Sequence, residues 1–367
     1  MNLLVLTATN GSYNSIRPEA EIYISLLKFG YNITIMTEKD SQYAKRFEEN
    51  GIRVIDTHYK KKISPSTIKK IKGAIKEYDI DILYATNSKS ISNATIASIG
   101  TDVKLITYRG TTGGLYRHDP SSYLNALNPR VDGVICVSKA VARHVKEQIF
   151  DKSKRVEAIY KGHELSWYET SKISLEEFGT NQENFNVAFV ANVRPHKGLI
   201  YLLKAAHKLA SYKNIHIILI GQNISQEPYM SEIKNCGMQE RIHVTGYRND
   251  APQIIASCSV LVQASTRKEG LSRVILESLA ANTPVIASAI EGNSEIIEDE
   301  FNGYIVPIKD ADAIAQKIIE LSTSPQKLQE LSANCADTIE NKMSHKTTVI
   351  EFDKFFKSIL KKIQNEI

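Results

Sequence analysis

The chain has 367 residues, 42% of them hydrophobic and 24% charged, the usage of a folded protein long enough for about two domains of ~150 residues each. Disorder, collagen and a disulfide scaffold are excluded. The net charge of +5 is mild but uneven: seven lysines and no acid lie between Thr57 and Lys76, and without them 39 cations stand against 41 acids.

From Met1 to Leu6 there is no basic n-region, and the chain turns polar at Thr7, too soon for a signal peptide. No apolar run approaches the ~20 residues of a membrane span. Cys136, Cys236, Cys258 and Cys335 form no C-x-x-C pair, which argues against zinc and fits a reducing compartment. The sequence therefore reads as cytoplasmic.

Short β-rich runs, several of them too uniformly apolar for a one-sided antiparallel sheet, predict strands at Leu3–Leu6, Ile33–Met36, Arg53–Ile55, Ile80–Tyr84, Val103–Thr107, Gly133–Val137 and Val156–Ile159. Helical spacing between them predicts Arg17–Phe29, closed by Gly30, and Lys139–Phe150, with Ser138 as N-cap. After a polar stretch, Glu169–Asn186, the alternation restarts at Val187–Val190, His216–Ile220, Ile242–Thr245, Val260–Gln263, Val285–Ala287 and Tyr304–Val306. Strand–helix alternation with a restart implies an α/β chain of two Rossmann-like, doubly wound parallel-sheet domains. The expected division is residues 1–165, 166–344 and a terminal helix at 345–367 that packs back on the first domain. Phe352, Phe355, Phe356 and Ile359 give that helix an apolar stripe.

Parallel sheets bind ligands beyond the carboxyl ends of their strands. There the chain places Asn10-Gly11-Ser12, Arg109–Gly114, Asn192–Gly198, Gly246-Tyr247-Arg248 and Ser265–Gly270. If the two sheets face each other, these loops line one cleft. Arg194 and Lys197 stand before a helix near Leu199, where cations oppose the helix dipole unless an anion joins them. Taken alone, such a segment is more often a solvated turn. Glu269 and Glu277 lie eight residues apart, with Gly270 expected to open a mostly apolar helix that buries Glu277. A buried carboxylate needs donors. A ribose diol supplies two, whereas Arg273 at i, i+4 offers ~0.3 kcal/mol.

Phe189–Gly198, Lys268–Glu277, Ala281–Ser288 and Asn302–Pro307 together resemble the retaining glycosyltransferases of family 4, which have the GT-B fold. Glu269 through Glu277 looks like that family's Glu-x7-Glu motif. The resemblance implies that Lys197 and a nearby arginine hold a donor diphosphate and that Glu277 binds the ribose. It further implies that Glu269 contacts sugar hydroxyls, while the N–H groups of Gly270, Leu271 and Ser272 surround the phosphates. Tyr247 and Arg248 would flank the base, and Gly11 would answer to the glycine-rich turn of the first domain. Where the family carries arginine five positions before the lysine, this chain has Asn192, so the second cation falls to Arg194.

Cations and helix amides placed on a leaving diphosphate lower the barrier to glycosidic cleavage. By resemblance the reaction proceeds by same-face attack, and no protein nucleophile is named. No metal and no cofactor is expected, the UDP- or GDP-linked sugar being a substrate. Asp79-Ile80-Asp81 lies at a helix-to-strand entry, away from the ligand end, and Asp310 reads as an N-cap. Arg109, Gly113, Gly114, His118 and Ser138 are acceptor-site candidates, although a lone histidine is more often a surface residue. Lys161-Gly162-His163-Glu164 resembles the family's motif at the domain crossing.

The lysine-rich segment carries Ile68, Ile71 and Ile75 on one helical face. Lys60–Lys76 is thus a candidate contact for an anionic membrane, at about 1 kcal/mol per lysine, or an ordinary solvated helix. Nucleic acid is disfavoured, since only Tyr59 interleaves with the lysines. The expected function is transfer of a sugar from a nucleotide-sugar to a saccharide or lipid-linked acceptor, in lipopolysaccharide, capsule or similar polysaccharide synthesis, in the cytoplasm or on the inner face of the membrane. The rivals are a nucleotide-sugar 2-epimerase and a catalytically silent membrane-associated scaffold.

Overall fold

Strands that are apolar on both faces are stable only when helices cover both. In the computed structural model every predicted run becomes a strand, and the inner ones, β1, β4, β6, β11 and β12 among them, are buried along nearly their whole length. The structure describes residues 1–168, 172–267 and 269–361. Residues 169–171 of the expected linker, Lys268 of the Glu-x7-Glu stretch and residues 362–367 of the terminal helix lie outside the described residues.

The first half holds β1 (Asn2–Leu6), α1 (Tyr13–Leu26), β2 (Asn32–Thr37), α2 (Gln42–Glu49), β3 (Arg53–Asp56), α3 (Pro65–Glu77), β4 (Ile82–Ala85), α4 (Ser88–Ala97), β5 (Lys104–Arg109), β6 (Gly133–Cys136), α5 (Lys139–Gln148) and β7 (Arg155–Ala158). Its seven strands form one parallel sheet in the order β3-β2-β1-β4-β5-β6-β7. The second half holds β8 (Phe185–Val190), α6 (Leu199–Leu209), β9 (Ile215–Ile220), α7 (Tyr229–Asn235), β10 (Ile242–Gly246), α8 (Ala251–Ala256), β11 (Val260–Gln263), α9 (Arg273–Ala280), β12 (Val285–Ser288), α10 (Glu291–Ser294), β13 (Gly303–Val306), α11 (Ala311–Thr323) and α12 (Pro325–Lys342). Its six strands are parallel in the order β10-β9-β8-β11-β12-β13. A last helix, α13 (His345–Lys361), follows.

One unit comprises Met1–Gly162 together with the chain from His345 on, and the other His163–Ser344. The apolar stripe of α13 explains its membership in the first. Phe352, Phe355, Phe356 and Ile359 are buried in the same cluster as Leu3, Val5 and Ile82, and the ring of Tyr84 meets Phe352 and Phe356 edge-on at 5.9 and 5.6 Å. Each such ring contributes about 1.5–3 kcal/mol by leaving water.

Two helices differ from expectation. α1 starts at Tyr13 rather than Arg17, carrying Pro18 inside it, because Tyr13 stacks on Tyr43 with ring centroids 4.7 Å apart and this packing outweighs the proline's missing N–H. In α3, Ile71 and Ile75 are buried in the unit and Ile68 is half-buried. The basic amphipathic helix forms, but its apolar face is spent on the core, and its lysines face out together with Ser66 and Glu77. No helix among the described residues is long and apolar enough to cross a membrane.

Candidate functional site

In a doubly wound sheet the loops diverge where the strand order reverses, and the crevice between them receives ligands. In the second unit that reversal lies between β8 and β11. The loops that leave there are 191–198 and 264–272, which hold most of the expected site. Thr266 N–H donates to the His196 carbonyl at 2.8 Å, tying one loop to the other. Gly198 has φ +74, and a Cβ on it would lie 1.8 Å from the Ala264 carbonyl oxygen. Only glycine permits this approach, and it fixes where α6 begins. Gly292 plays a similar part: its Cβ would fall 2.5 Å from the Gly270 carbonyl oxygen, so the start of α10 presses on the loop that carries Glu269.

The charged groups of these loops meet. Lys197 Nζ donates to Glu269 Oε1, and the Ser265 hydroxyl donates to the same oxygen at 3.0 Å. Glu269 is 11% exposed and Lys197 26%, so the pair is shielded yet reachable. Arg194 and Asn192 are exposed on the same loop, and the Arg194 guanidinium makes no ion pair or hydrogen bond among the described residues. Gly270 does not open the helix as expected. α9 begins at Arg273, because the loop crosses the mouth of β11 first and the Ser272 hydroxyl is engaged by Gln263 Nε2 at 3.1 Å. The amides of Gly270, Leu271 and Ser272 therefore precede the helix, and they donate to no acceptor among the described residues.

Glu277 lies on α9, buried at 8% exposure. Its carboxylate accepts no hydrogen bond among the described residues. Burial pushes its pKa up to about 7, with Arg273 only partly opposing. A carboxyl group kept near neutrality and without donors is an unmet demand in the folded chain.

The loop after β10 stands apart, since β10 is an edge strand two places from the reversal. Tyr247 there is 52% exposed. Arg248 is engaged elsewhere: its guanidinium binds Asp250 at 2.7 Å and Glu177 at 3.1 Å, so what remains for a base is the Tyr247 ring and backbone. Beneath this loop His216 and His243 stack at 5.2 Å with Nδ1 and Nε2 2.9 Å apart. Burial, then the charge of His216, pushes His243 down to about 4.

In the first unit the reversal lies between β1 and β4, and Gly11 sits exposed in the turn after β1. The acceptor candidates are largely occupied. Arg109 donates to the carbonyls of Thr111 (2.9 Å) and Gly113, stapling the loop that includes Gly114. Ser138 accepts from Val141 N–H at 3.3 Å as the N-cap of α5. His118 is exposed and stacked on Tyr116 at 5.3 Å. Asp81, away from the ligand end, accepts from Asn2 N–H at 2.7 Å, and Asp310 caps α11 through Ala313 N–H at 2.9 Å.

Sequence reasoning missed Ser265, which carries no motif signal of its own, and a buried pair in the first unit. Glu19 accepts from Lys161, from the Thr7 hydroxyl at 2.8 Å and from the Tyr23 hydroxyl at 2.9 Å. Burial pushes the Glu19 carboxyl up, but Lys161 and these hydroxyls pull it further down, below the usual carboxylate range. The partners are 142 residues apart in sequence, so no local pattern joins them.

The description "Glycosyl transferases group 1" matches residues 171–338, and "Glycosyltransferase Family 4" matches residues 20–167. Among curated proteins, a putative glycosyltransferase EpsD of Bacillus subtilis is 28% identical over 157 residues, 42% of this chain and 41% of that protein. The UDP-Gal:alpha-D-GlcNAc-diphosphoundecaprenol alpha-1,3-galactosyltransferase of Escherichia coli is 26% identical over 171 residues, 44% of this chain and 43% of the enzyme. The match thus spans less than half the length of these two relatives. A glycosyltransferase from Rickettsia africae superposes with TM-score 0.82 at 22% identity, covering 98% of each chain. Anabaena HepE, in complex with UDP-glucose, superposes with TM-score 0.79 at 22% identity, covering 98% of this chain and 100% of that one. These likenesses show the GT-B fold.

Proposed function

The chain belongs to the family 4 glycosyltransferases, and from that premise we propose that it moves a sugar, with retention, from a uridine diphosphate donor onto a saccharide or lipid-linked acceptor in the synthesis of a cell-surface glycan. Glu277 carries this reading: a buried carboxylate that accepts no hydrogen bond among the described residues, eight residues beyond Glu269, is what a ribose diol completes. The uridine donor is supported by the UDP-glucose bound to HepE and by the UDP-Gal in the name of the E. coli relative.

The donor's diphosphate takes Lys197 as its counter-ion in place of Glu269, with Arg194 and the amides of Gly270, Leu271 and Ser272 around the remaining oxygens. Negative charge grows on the leaving oxygen as the glycosidic bond breaks, so Lys197 and Arg194 act on the transition state as well as on binding. Glu269, released from Lys197, accepts hydroxyls of the transferred sugar. Attack comes from the face the diphosphate leaves, and the departing phosphate oxygen receives the acceptor's proton.

Calorimetry with UDP and GDP, on the wild type and on Glu277→Gln, tests the donor site. UDP should bind the wild type and bind the variant at least about tenfold more weakly; equal affinity overturns the ribose role. Incubation with UDP-sugars followed by NMR should yield a product only when an acceptor is added, and conversion of the donor alone would replace transfer by epimerisation.

A further inference from the structure

We propose that Gln263 is a positioning residue for the diphosphate of the nucleotide-sugar: its amide occupies a lone pair of the Ser272 hydroxyl, so that the hydroxyl proton is presented to a phosphate oxygen. The inference rests on the transferase reading and adds to it the Ser272 hydroxyl and the residue that aims it.

Gln263 is the last residue of β11, one of the two strands that flank the reversal. Its backbone is fixed twice, by the register with Ala287 of β12 and by the Ser288 hydroxyl, which donates to its carbonyl at 3.2 Å. The side chain is 2% exposed and meets Ser272, nine residues on, where Nε2 donates to the hydroxyl oxygen at 3.1 Å. A group so deeply buried does not touch a ligand itself. It acts through the serine, which lies between Leu271 and Arg273 at the end of the ligand-binding loop.

Ser272 stands at the N-cap of α9 with extended backbone, φ −84 and ψ 112. A serine in that place ordinarily accepts an N–H of the first turn. This one makes no capping bond, because its oxygen is engaged by Gln263. A hydroxyl has one proton and two lone pairs, and with Nε2 on a lone pair the proton is left over. Among the described residues it goes to no acceptor, and neither do the amides of Gly270, Leu271 and Ser272 beside it. Four such donors close together suit an anion with several oxygens. The Gln263 carboxamide is itself half satisfied: Oε1 is buried and accepts no hydrogen bond among the described residues. That orphaned oxygen costs stability, and a methionine of similar length would carry no such cost and would free Ser272 to cap α9. The pair is therefore a poor choice for the fold and a good one for the site. In the opposite orientation of the carboxamide, Oε1 would consume the Ser272 proton.

The test is calorimetric titration of the full chain with UDP, beside the melting temperature without ligand. Ser272→Ala should weaken UDP at least about tenfold, the loss expected of a hydrogen bond to a charged group. Gln263→Met should weaken it about three- to tenfold while the melting temperature does not fall, and the double variant should bind no more weakly than Ser272→Ala alone, since the two changes remove one interaction. Gln263→Glu adds a pH readout. Its protonated carboxyl donates to Ser272 as the amide does, whereas its carboxylate takes the Ser272 proton, so UDP affinity relative to wild type should drop as pH rises through the titration of the new carboxyl. Unchanged UDP affinity in Ser272→Ala, losses that add in the double variant, or a flat pH ratio for Gln263→Glu overturns the proposal and leaves the transferase reading standing. A wild type that binds no UDP overturns both.

Discussion

The two units wind the same kind of sheet but use charge in opposite ways at its ligand end. Among the described residues of the second, Arg194 makes no ion pair, Lys197 pairs with Glu269, and the Glu277 carboxylate accepts no hydrogen bond. In the first, Arg109, Lys161 and Arg117 are consumed by the fold itself. A fold can therefore be shared while the free electrostatic capacity is placed differently.

The contrast is broken most sharply by removing one charge from each unit. Lys197→Ala should lower turnover by about 10²–10³-fold, the usual cost of losing a group that meets transition-state charge, with a much smaller loss of UDP affinity. Turnover at the wild-type level would show that the pair with Glu269 is merely structural. Lys161→Ala should instead act on stability. It leaves Glu19 buried without its cation, at a cost of about 3 kcal/mol, the low end for buried pairs, since 18–20% of each side chain stays exposed. Urea unfolding measures this, and the double replacement Glu19→Gln, Lys161→Met should recover much of it.

Two pH experiments sharpen the same comparison. Glu277 titrates at about 7 in the fold, above the ~4.3 of an unfolded glutamate. Its contribution to stability is therefore full below pH ~4 and is lost as pH rises through 7, about 3 kcal/mol in all. On the proposed ribose role UDP is held by the carboxylate form, so affinity should rise between pH 6 and pH 8, and Glu277→Gln should flatten both profiles. The smallest effect belongs to the imidazole pair. His243 is depressed to about 4 against ~6.5 unfolded, so its contribution is present above pH 6.5 and fades as pH falls through 4. Replacing His243 by Asn should lessen the fall in melting temperature over that window, and an unchanged acid profile would show that the pair carries no such term.

Much of this was readable in residue order. Val187–Val190, Val260–Gln263 and their counterparts are too apolar for any strand but one covered on both faces, and each of them is a strand in the fold. The Glu269–Glu277 spacing was legible because both partners lie within one loop and one helix. The start of α9 was not, because Gly270 has the look of a helix opening while packing against Gly292 holds the loop extended for three residues more.

Sequence alone determined the strands, the family and the loop-borne residues, because periodicity and motif spacing act over a few residues of chain. Tertiary structure decided which charges remain available. Lys161 finds Glu19 across 142 residues, Arg248 is taken by Glu177 and Asp250, Asn93 reaches back to fix Lys61 and Lys62, and the Glu277 carboxylate accepts no hydrogen bond among the described residues. Whether a charge is neutralised depends on distance and burial in the folded chain, and neither is written in the order of the residues.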